Sequence, residues 1–344
     1  MSPKKRARIA LIGVESFRGK ELKYVLEGKK FPIEKIEFFD PEVEEEYSKL
    51  TEFRGEPHVV MPLDETAIAD YDFVFLASDK KTNREFGNLA VKKKYLAIDL
   101  SETFCADKKV PIVVGGINHI AVLKKKPALI ANPHSVTIIL AHVLNVICEK
   151  YHPKKIAAFV LQPASAFEEA GIKELADQSF AVLNSSSVSK KTFKTQIAFN
   201  LLSDVAPVDN DGFSSVEKRI LSETKRVLNL QDLPLSVAII QAPVFHTYSI
   251  MIHLELEERT DIPTLMDRFK KSPYFKVASP SPSHPVSCLQ VTGKDEIYIG
   301  QIKKEDSVPG KYWIWTVADN LTRGSALNAY EILESSYPGL FTTI

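Results

Sequence analysis

The sequence has few cysteines and no long apolar run, and both absences narrow the class of protein. Its 344 residues include three cysteines, Cys105, Cys148 and Cys288. Thiols so few and so widely spaced form neither a disulfide framework nor a zinc-binding pattern, which is typical of a reducing compartment. No run approaches the roughly eighteen apolar residues that a membrane span needs. We therefore predict a cytoplasmic protein without a metal site and without a membrane partner.

The chain also lacks a charge bias. Forty-four Lys and Arg residues balance 44 Asp and Glu residues, so no strong field attracts nucleic acid or an anionic membrane. The basic start, Lys4-Lys5-Arg6, precedes too short an apolar run for a signal peptide and is interpreted as a solvated tail. With 44% hydrophobic and 26% charged residues, the composition is that of a globular protein, and the length favours about two domains.

Short apolar runs alternate with amphipathic stretches in the first half of the chain. The apolar runs predict strands over residues 8–12, 36–39, 72–77 and 95–100. Helical spacing of apolar side chains predicts helices over residues 18–27 and 82–94. Strand, helix and strand at this spacing are typical of a parallel, doubly wound sheet. We predict a Rossmann-type α/β domain over residues 1–133.

The pattern changes near residue 133. Residues 135–150 form a continuous apolar helix, and strand candidates follow over 156–161, 237–240, 249–257, 296–302 and 313–317. In the third of these, apolar and polar residues alternate, as in an antiparallel strand with one buried face. We predict an α+β domain with a mostly antiparallel sheet over residues 134–320. A helix from about Leu321 to Ser335, within a segment over 321–340, is expected to complete the first domain.

A glycine turn follows the first predicted strand and reads Ile12-Gly13-Val14-Glu15-Ser16-Phe17-Arg18-Gly19. In dinucleotide-binding domains the pyrophosphate meets the amide groups of a helix N-terminus at such a turn. Gly13 and Gly19 are present, whereas Ser16 stands at the middle glycine position. The turn is therefore either a site for NAD or NADP, contacted by Gly13, Ser16 and Gly19, or a purely structural connection.

Asp40 ends the second predicted strand. An acidic side chain at this point can accept hydrogen bonds from the adenosine ribose, and it favours NAD because it repels the 2′-phosphate of NADP. Asp40-Pro41 is equally typical of an ordinary turn, so both interpretations stay open.

The most specific motif lies near the C-terminus, where residues 315–329 read WTVADNLTRGSALNA. This segment is similar to W-x-V-x-D-N-L-x-x-G-A-A-x-N-A of the aspartate-semialdehyde dehydrogenases. Supporting matches are residues 197–200, residues 223–225, residues 293–296 and the glycine turn. Over almost its whole length, the sequence resembles the aspartate-semialdehyde dehydrogenase family.

That resemblance implies a homodimer and an NADP-dependent reductive dephosphorylation of an acyl phosphate through a thioester. This chemistry needs a reactive thiolate, an acid/base group and arginines that hold the anionic groups of the substrate. The resemblance places Ser165 and Asn320 at cofactor positions and Gln162 where the family orients its substrate. The residues after Ser165 are Ala166-Phe167-Glu168 in place of G-A-G, and we expect them to crowd and repel a dinucleotide.

The residues at the chemical positions differ from the family pattern. Ser135 stands where the family has its cysteine nucleophile, and Tyr248 stands where it has its acid/base histidine. A serine hydroxyl needs an adjacent base, and a tyrosine titrates at about 10. Ser135 is therefore interpreted either as a helix cap or as a nucleophile assisted by His134 or His246.

The substrate-binding positions change in the same way. Gln241 and Cys105 replace two family arginines, and neither side chain forms the forked ion pair that a guanidinium makes with a carboxylate or phosphate. Asn118 is retained, and Arg219 is the cation left in a segment that has lost one of two glutamates. Cys105 is an alternative nucleophile if a base lies beside it.

These replacements affect every chemical role while the scaffold motifs persist. We therefore predict a homodimer without dehydrogenase activity that acts as a binding or regulatory protein. The first alternative is an enzyme of altered chemistry in the same cleft, using Ser135 or Cys105 with a nearby histidine. The second is a structural partner that binds no small ligand, and binding of a nicotinamide cofactor separates it from the other two.

Overall fold

The computed structural model describes residues 6–45, 48–93, 95–203, 206–279, 285–305 and 308–337. The chain divides into two compact units. The first unit contains the residues up to His134 and those from Ser325 onward, and the second runs from Ser135 to Gly324. Lys4 and Lys5 of the predicted basic tail lie outside the described residues.

The first unit is built on a parallel sheet. Its strands are β1 (Ala7–Ile12), β2 (Ile33–Phe39), β3 (Leu50–Phe53), β4 (Glu56–Met61), β5 (Phe73–Leu76), β6 (Leu96–Asp99) and β7 (Leu129–Ala131). They lie in the order β3-β4-β2-β1-β5-β6-β7. The β3–β4 pair is antiparallel and the other neighbouring pairs are parallel. The helices of this unit are α1 (Phe17–Gly28), α2 (Glu65–Ile68), α3 (Lys80–Lys93), α4 (His119–Leu123) and α10 (Leu327–Ser336).

The core of the first unit explains this order. The central strands β1 and β5 are apolar and almost entirely buried, as expected for parallel strands covered on both faces. Leu22 and Leu26 of α1 pack in the same hydrophobic cluster as Ile332 and Leu333 of α10. The predicted doubly wound α/β fold is therefore the observed fold of this unit.

The start of the last helix differs from the prediction. Thr322–Ala326 form a π-helical turn, and α10 begins at Leu327. The side chain of Asp319 accepts the amide hydrogens of Leu321 and Thr322, and its carbonyl accepts that of Gly324. These bonds wind the backbone more widely than an α-helix, so a single helix from Leu321 is wrong. Residues 338–340 of the predicted segment lie outside the described residues.

The second unit contains a mixed sheet. Its strands are β8 (Pro153–Gln162), β9 (Leu235–Gln241), β10 (Tyr248–Leu256), β11 (Phe275–Val277), β12 (Ile297–Lys304) and β13 (Lys311–Ala318). They lie in the order β11-β12-β13-β10-β8-β9, antiparallel in the middle and parallel at the two outer pairs. The helices are α5 (Ser135–Cys148), α6 (Glu168–Leu183), α7 (Ser215–Leu228), α8 (Ile262–Lys271) and α9 (Cys288–Val291). The predicted α+β architecture is confirmed, but two strand pairs are parallel.

The two faces of this mixed sheet differ in how the helices pack on them. One face packs against the apolar residues of α5, Ile220 of α7, and Leu265 and Phe269 of α8. On the other face, four side chains stand in one row across β9, β8, β10 and β13: Ala238, Phe159, Met251 and Trp315. The Phe159 side chain is 44% exposed. Within this row Phe159 is therefore exposed, whereas Trp315 packs in a cluster with Val286 and Val291.

Candidate functional site

The glycine turn joins β1 to α1 and is tightly packed. Gly13 has a φ of +82°, and a Cβ at this position would lie 2.7 Å from the Ala77 carbonyl carbon and from the Ser78 nitrogen. A Cβ on Gly19 would collide with the carbonyl oxygen of Gly13. Both positions therefore require glycine for the backbone to pack, so the two glycines do not by themselves decide between the cofactor and structural interpretations.

Ser16 caps α1. Its hydroxyl oxygen accepts the amide hydrogen of Gly19 at 3.0 Å and donates to the Gly13 carbonyl at 2.8 Å. The turn therefore brings Gly13, Ser16 and Gly19 together, as the motif predicts. Because the cap takes up one amide group of the first helical turn, a phosphate at this end of the helix would use the other amide groups.

Asp40 is buried at the end of β2. One carboxylate oxygen accepts the amide hydrogen of Glu42 at 3.0 Å, and the Asp40 amide donates to the Met61 carbonyl at 3.2 Å. The Met61 bond continues the pairing of β2 with β4. The Glu42 bond, together with the Val43 amide donating to the Asp40 carbonyl at 3.2 Å, forms the turn that the Asp-Pro pair predicts.

Asn118 and Cys105 lie in two different loops of the first unit. The Asn118 amide group accepts from the Val114 nitrogen and donates to the Ile112 carbonyl, both at 2.9 Å. The Cys105 thiol is buried and donates to the Asn132 carbonyl at 3.5 Å. Each side chain is thus bound to the backbone of its own unit.

A buried carboxylate holds the turn before Cys105. Asp99 accepts from the Ser101 amide, the Ser101 hydroxyl and the Phe104 amide at 2.6–2.9 Å. Burial raises the pKa of Asp99, and the hydrogen bonds from Ser101 and Phe104 oppose that shift. The sequence patterns did not single out Asp99, although a strand that ends in Asp-Leu-Ser is a signal for such a turn.

Three predicted site residues of the second unit form one buried network. The Gln162 amide nitrogen donates to the Gln241 side-chain oxygen at 2.9 Å, and the Tyr248 hydroxyl donates to the Gln162 side-chain oxygen at 3.4 Å. The Gln241 amide nitrogen donates to the backbone carbonyls of Gln162 and Ala242 at 3.0 and 3.1 Å. All three side chains are at most 6% exposed. Neutral amide, hydroxyl and carbonyl groups therefore pair with one another in these bonds.

Asn320 joins the remaining predicted residues of the second unit. Its side-chain oxygen accepts from the Ser165 hydroxyl at 3.2 Å and from the Thr247 amide at 3.0 Å. Its backbone carbonyl accepts from the Ser135 hydroxyl at 3.0 Å. A Cβ on Gly324 would lie 2.7 Å from the Ser135 Cβ. The sequence motif identified Asn320 but gave no signal for its contact with Thr247.

The residues after Ser165 lead into α6. The Phe167 ring packs edge-on against Phe193, with centroids 5.1 Å apart, in a cluster that contains Leu175 and Ile197. This ring is therefore part of a hydrophobic cluster of the second unit. Glu168 has φ 55° and ψ −148°, a conformation that glycine adopts readily and other residues rarely do.

Arg219 lies on α7 beside a buried carboxylate. Its Nε is 3.6 Å from Glu223, whose other oxygen accepts from the Thr137 hydroxyl at 2.7 Å. Glu217, the glutamate retained in the same segment, forms a capping box with Ser214 and accepts from the Ile239 amide at 2.9 Å. These contacts connect α7 to α5 and β9.

Two negative results concern the described residues only. Within them, no cluster of three or more His, Cys, Asp or Glu side chains could hold a metal ion. None of the helices in the described ranges is both long enough and apolar enough to cross a bilayer.

Comparison with known protein families shows which family the chain belongs to. A model described as "semialdehyde dehydrogenase, NAD binding domain" matches residues 8–125. A second, described as "semialdehyde dehydrogenase, dimerisation domain", matches residues 144–323. The chain belongs to the semialdehyde dehydrogenase family. The resemblance to aspartate-semialdehyde dehydrogenases is thereby confirmed at the level of the family.

Curated members of this semialdehyde dehydrogenase family match over nearly the full length. The aspartate-semialdehyde dehydrogenase of Aquifex aeolicus is 28% identical over 331 residues, covering 95% of this chain and 97% of that protein. The enzyme of Rickettsia bellii is 27% identical over 333 residues, covering 96% of this chain and 97% of that protein.

Solved structures show the same fold. Aspartate-semialdehyde dehydrogenase II from Vibrio cholerae, complexed with ASA, has a TM-score of 0.90 at 24% identity and covers 98% of this chain and 100% of its own. A Candida albicans aspartate-semialdehyde dehydrogenase with NADP has a TM-score of 0.71 at 14% identity and covers 96% of this chain and 99% of its own. At these identities the likeness concerns the fold.

Proposed function

We propose that this chain is an aspartate-semialdehyde dehydrogenase-like protein without reductive dephosphorylation activity, which acts as a cytoplasmic binding or regulatory homodimer. The observation that carries the proposal is the neutral, buried network of Gln162, Gln241 and Tyr248. By resemblance these positions belong to the substrate-orienting glutamine, a substrate-binding arginine and the acid/base histidine. Their hydrogen bonds to one another favour a stable neutral scaffold over an anion-binding catalytic site.

Ser135 supports the same conclusion at the nucleophile position. A serine attacks a carbonyl only when a base accepts its proton. The Ser135 hydroxyl donates to the backbone carbonyl of Asn320, and a peptide carbonyl is not a base at neutral pH. This bond anchors the N-terminus of α5 to the segment after β13 and gives the serine a structural role.

Tyr248 is unsuited to cycling a proton. Its hydroxyl is buried and donates to Gln162, and an ordinary phenol loses its proton only near pH 10, at about its unperturbed pKa. Gln241 carries no charge, so it cannot balance the charge of a phosphate or carboxylate as an arginine does. The three replacements therefore remove proton transfer and substrate charge recognition together.

A nicotinamide dinucleotide, preferably NAD, is the ligand that we propose for the first unit. The left-handed Gly13 and the N-terminus of α1 fit a pyrophosphate, and Asp40 would accept hydrogen bonds from the adenosine ribose. A bound dinucleotide supplies hydride transfer, for which this chain lacks the thioester-forming thiol at position 135. The dinucleotide then acts as a bound ligand and not as a redox partner.

Calorimetric titration with NAD and with NADP tests this ligand. We expect NAD to bind at least several-fold more tightly, because the Asp40 carboxylate repels a 2′-phosphate. Asp40→Ser keeps a short oxygen side chain for the turn and should narrow the difference. No heat with either dinucleotide would contradict the proposal and favour the structural-partner alternative.

The homodimer is proposed to form through the face of the mixed sheet that carries Phe159. The dimerisation-domain model covers this sheet, and the row of Ala238, Phe159, Met251 and Trp315 gives that face an apolar centre. A second copy of the chain would cover it, as two-fold interfaces place the same patch on both subunits.

Light scattering coupled to size exclusion measures the dimer directly. Wild type should elute with twice the chain mass at micromolar concentration, and Phe159→Glu should shift it toward the monomer. Tyr24→Glu, at a 67% exposed aromatic residue of α1, serves as the matched control and should remain dimeric. A monomeric wild type, or a dimeric Phe159→Glu variant, would contradict this interface.

A screen with activated acyl esters separates the proposed binding protein from an enzyme of altered chemistry. We expect no hydrolysis above that of the Ser135→Ala and Cys105→Ala variants. Turnover that one of these substitutions abolishes would replace the proposal with the altered-enzyme alternative.

A further inference from the structure

We propose that a cavity at the amino end of the parallel sheet in the first unit binds a small amphipathic carboxylate. The cavity has a volume of about 830 Å³ and is lined by residues that include Phe73, Val91, Leu96, Leu123, Lys126 and Tyr337. Volumes of this size are typical of ligand sites in proteins.

The position of this amino-end cavity separates it from the glycine turn. Phe73 and Leu96 begin β5 and β6, and Ala128, which also lines the cavity, directly precedes β7. The glycine turn follows the carboxyl end of β1, which is parallel to β5. A dinucleotide at the turn and a ligand in the cavity would therefore occupy opposite edges of the same sheet.

The apolar side chains that line the amino-end cavity favour a ligand with an apolar body. Val91 lies near the end of α3 and is 70% exposed, although Phe86, Leu89 and Ala90 of the same helix are buried. A surface valine that lines a concave site loses contact with water when an apolar ligand enters, which favours binding.

Tyr337 supplies a polar group that is short of a partner. The residue is 6% exposed, and within the described ranges its hydroxyl has no hydrogen-bond partner. Its ring is held by Phe31 and Phe73, with centroids 5.4 and 6.4 Å away. A buried hydroxyl without a partner costs free energy, so a ligand oxygen that bonds to it would remove that cost.

The charges on the rim of the amino-end cavity select an anion at one end. Lys126 lies on the β7 side and is exposed. Asp72 lies on the β5 side, where the Arg8 backbone amide and guanidinium already donate to its carboxylate. Because β6 lies between β5 and β7, the two ends are about 10 Å apart, or two strand spacings. A carboxylate would therefore pair with Lys126, and the body would extend toward Tyr337.

Calorimetry with 4-phenylbutyrate and its neutral analogue 4-phenylbutanol tests the site on the full-length protein. We expect the carboxylate to bind more tightly than the alcohol. Lys126→Gln should weaken carboxylate binding about three- to tenfold and leave the alcohol unchanged, consistent with one solvent-accessible ion pair. Val91→Trp, at an exposed position, should fill the cavity and abolish both. Lys125→Gln removes a neighbouring charge outside the lining and serves as the matched control.

Three results would overturn the inference. The first is no binding of 4-phenylbutyrate at millimolar concentration, and the second is binding that survives Val91→Trp. The third is an equal loss with Lys125→Gln and Lys126→Gln, which would indicate only a diffuse basic surface. Circular dichroism of each variant shows whether it is folded, and Tyr337→Phe provides an independent test by weakening a hydroxylated probe, 4-(4-hydroxyphenyl)butyrate, more than 4-phenylbutyrate.

Discussion

A buried histidine should make the free energy of unfolding of the second unit decrease in mild acid. His142 lies on α5, is 3% exposed, and stacks on Tyr274 with ring centroids 4.2 Å apart. Its Nε2 has no hydrogen-bond partner among the described residues. The Arg323 guanidinium lies 5.5 Å from the centre of the Tyr274 ring. Burial, and then the charge of Arg323, lower the pKa of His142 well below its ordinary value.

Protonation of His142 therefore favours the unfolded state. In the unfolded chain its pKa is about 6.5, so below that pH the unfolded state binds a proton that the folded state does not. The contribution of His142 to stability is complete above about pH 7 and is lost as the pH falls, by at most about 1.4 kcal/mol per pH unit. Between pH 7 and 5.5 the loss is at most about 1.3 kcal/mol, the value for a histidine that stays neutral in the folded state.

Urea unfolding followed by tryptophan fluorescence measures this loss. Both tryptophans, Trp313 and Trp315, lie on β13, so the signal reports on the unit that contains His142. The His142→Phe variant keeps an aromatic stack on Tyr274 and removes the titrating group. Wild type should lose more stability than the variant between the two pH values, by up to about 1.3 kcal/mol. Equal losses in the two proteins would refute the argument.

Three further substitutions test local features by thermal or chemical unfolding. Gly13→Ala should lower the free energy of unfolding by about 3 kcal/mol, because its Cβ would lie 2.7 Å from backbone atoms at a left-handed φ. An unchanged free energy of unfolding would mean that the turn is looser than described. Thr137→Val should cost about 2 kcal/mol, since the buried Glu223 loses a donor, whereas Thr137→Ser should be much milder. Glu168→Gly should stabilise the fold by about 1 kcal/mol by relieving its backbone conformation, and a destabilised variant would count against that strain.

Much of the fold could be predicted from hydrophobic patterns. The runs at β1 and β5, and the alternation along β10, are set by burial on two faces or on one. The β3–β4 pair was missed because its strands are short and rich in polar residues. The parallel outer pairs of the mixed sheet were also missed, since alternation within a strand does not specify the direction of its neighbour.

The sequence predicted which residues belong to the candidate site, but it did not predict which residues they contact. Sequence motifs located Ser135, Gln162 and Tyr248, yet the bond from Ser135 to the Asn320 carbonyl joins residues 185 positions apart. Spacing along the chain carries no information on such long-range partners. Sequence spacing also did not predict where the Phe167 ring packs, which is against Phe193. The Ser135 bond depends on how α5 packs against the segment after β13, and the Phe167 contact depends on how the turn before α6 packs against the loop after α6.

Loss of reductive dephosphorylation is tested most directly by the phosphate-dependent oxidation of aspartate semialdehyde, followed by nicotinamide absorbance with NAD and with NADP. We expect wild type to show no turnover above that of Ser135→Ala, and we expect Ser135→Cys combined with Tyr248→His and Gln241→Arg to raise the rate above both. Wild-type turnover at an ordinary enzymatic rate, on the order of 1 to 1,000 per second, abolished by Ser135→Ala, would contradict this expectation.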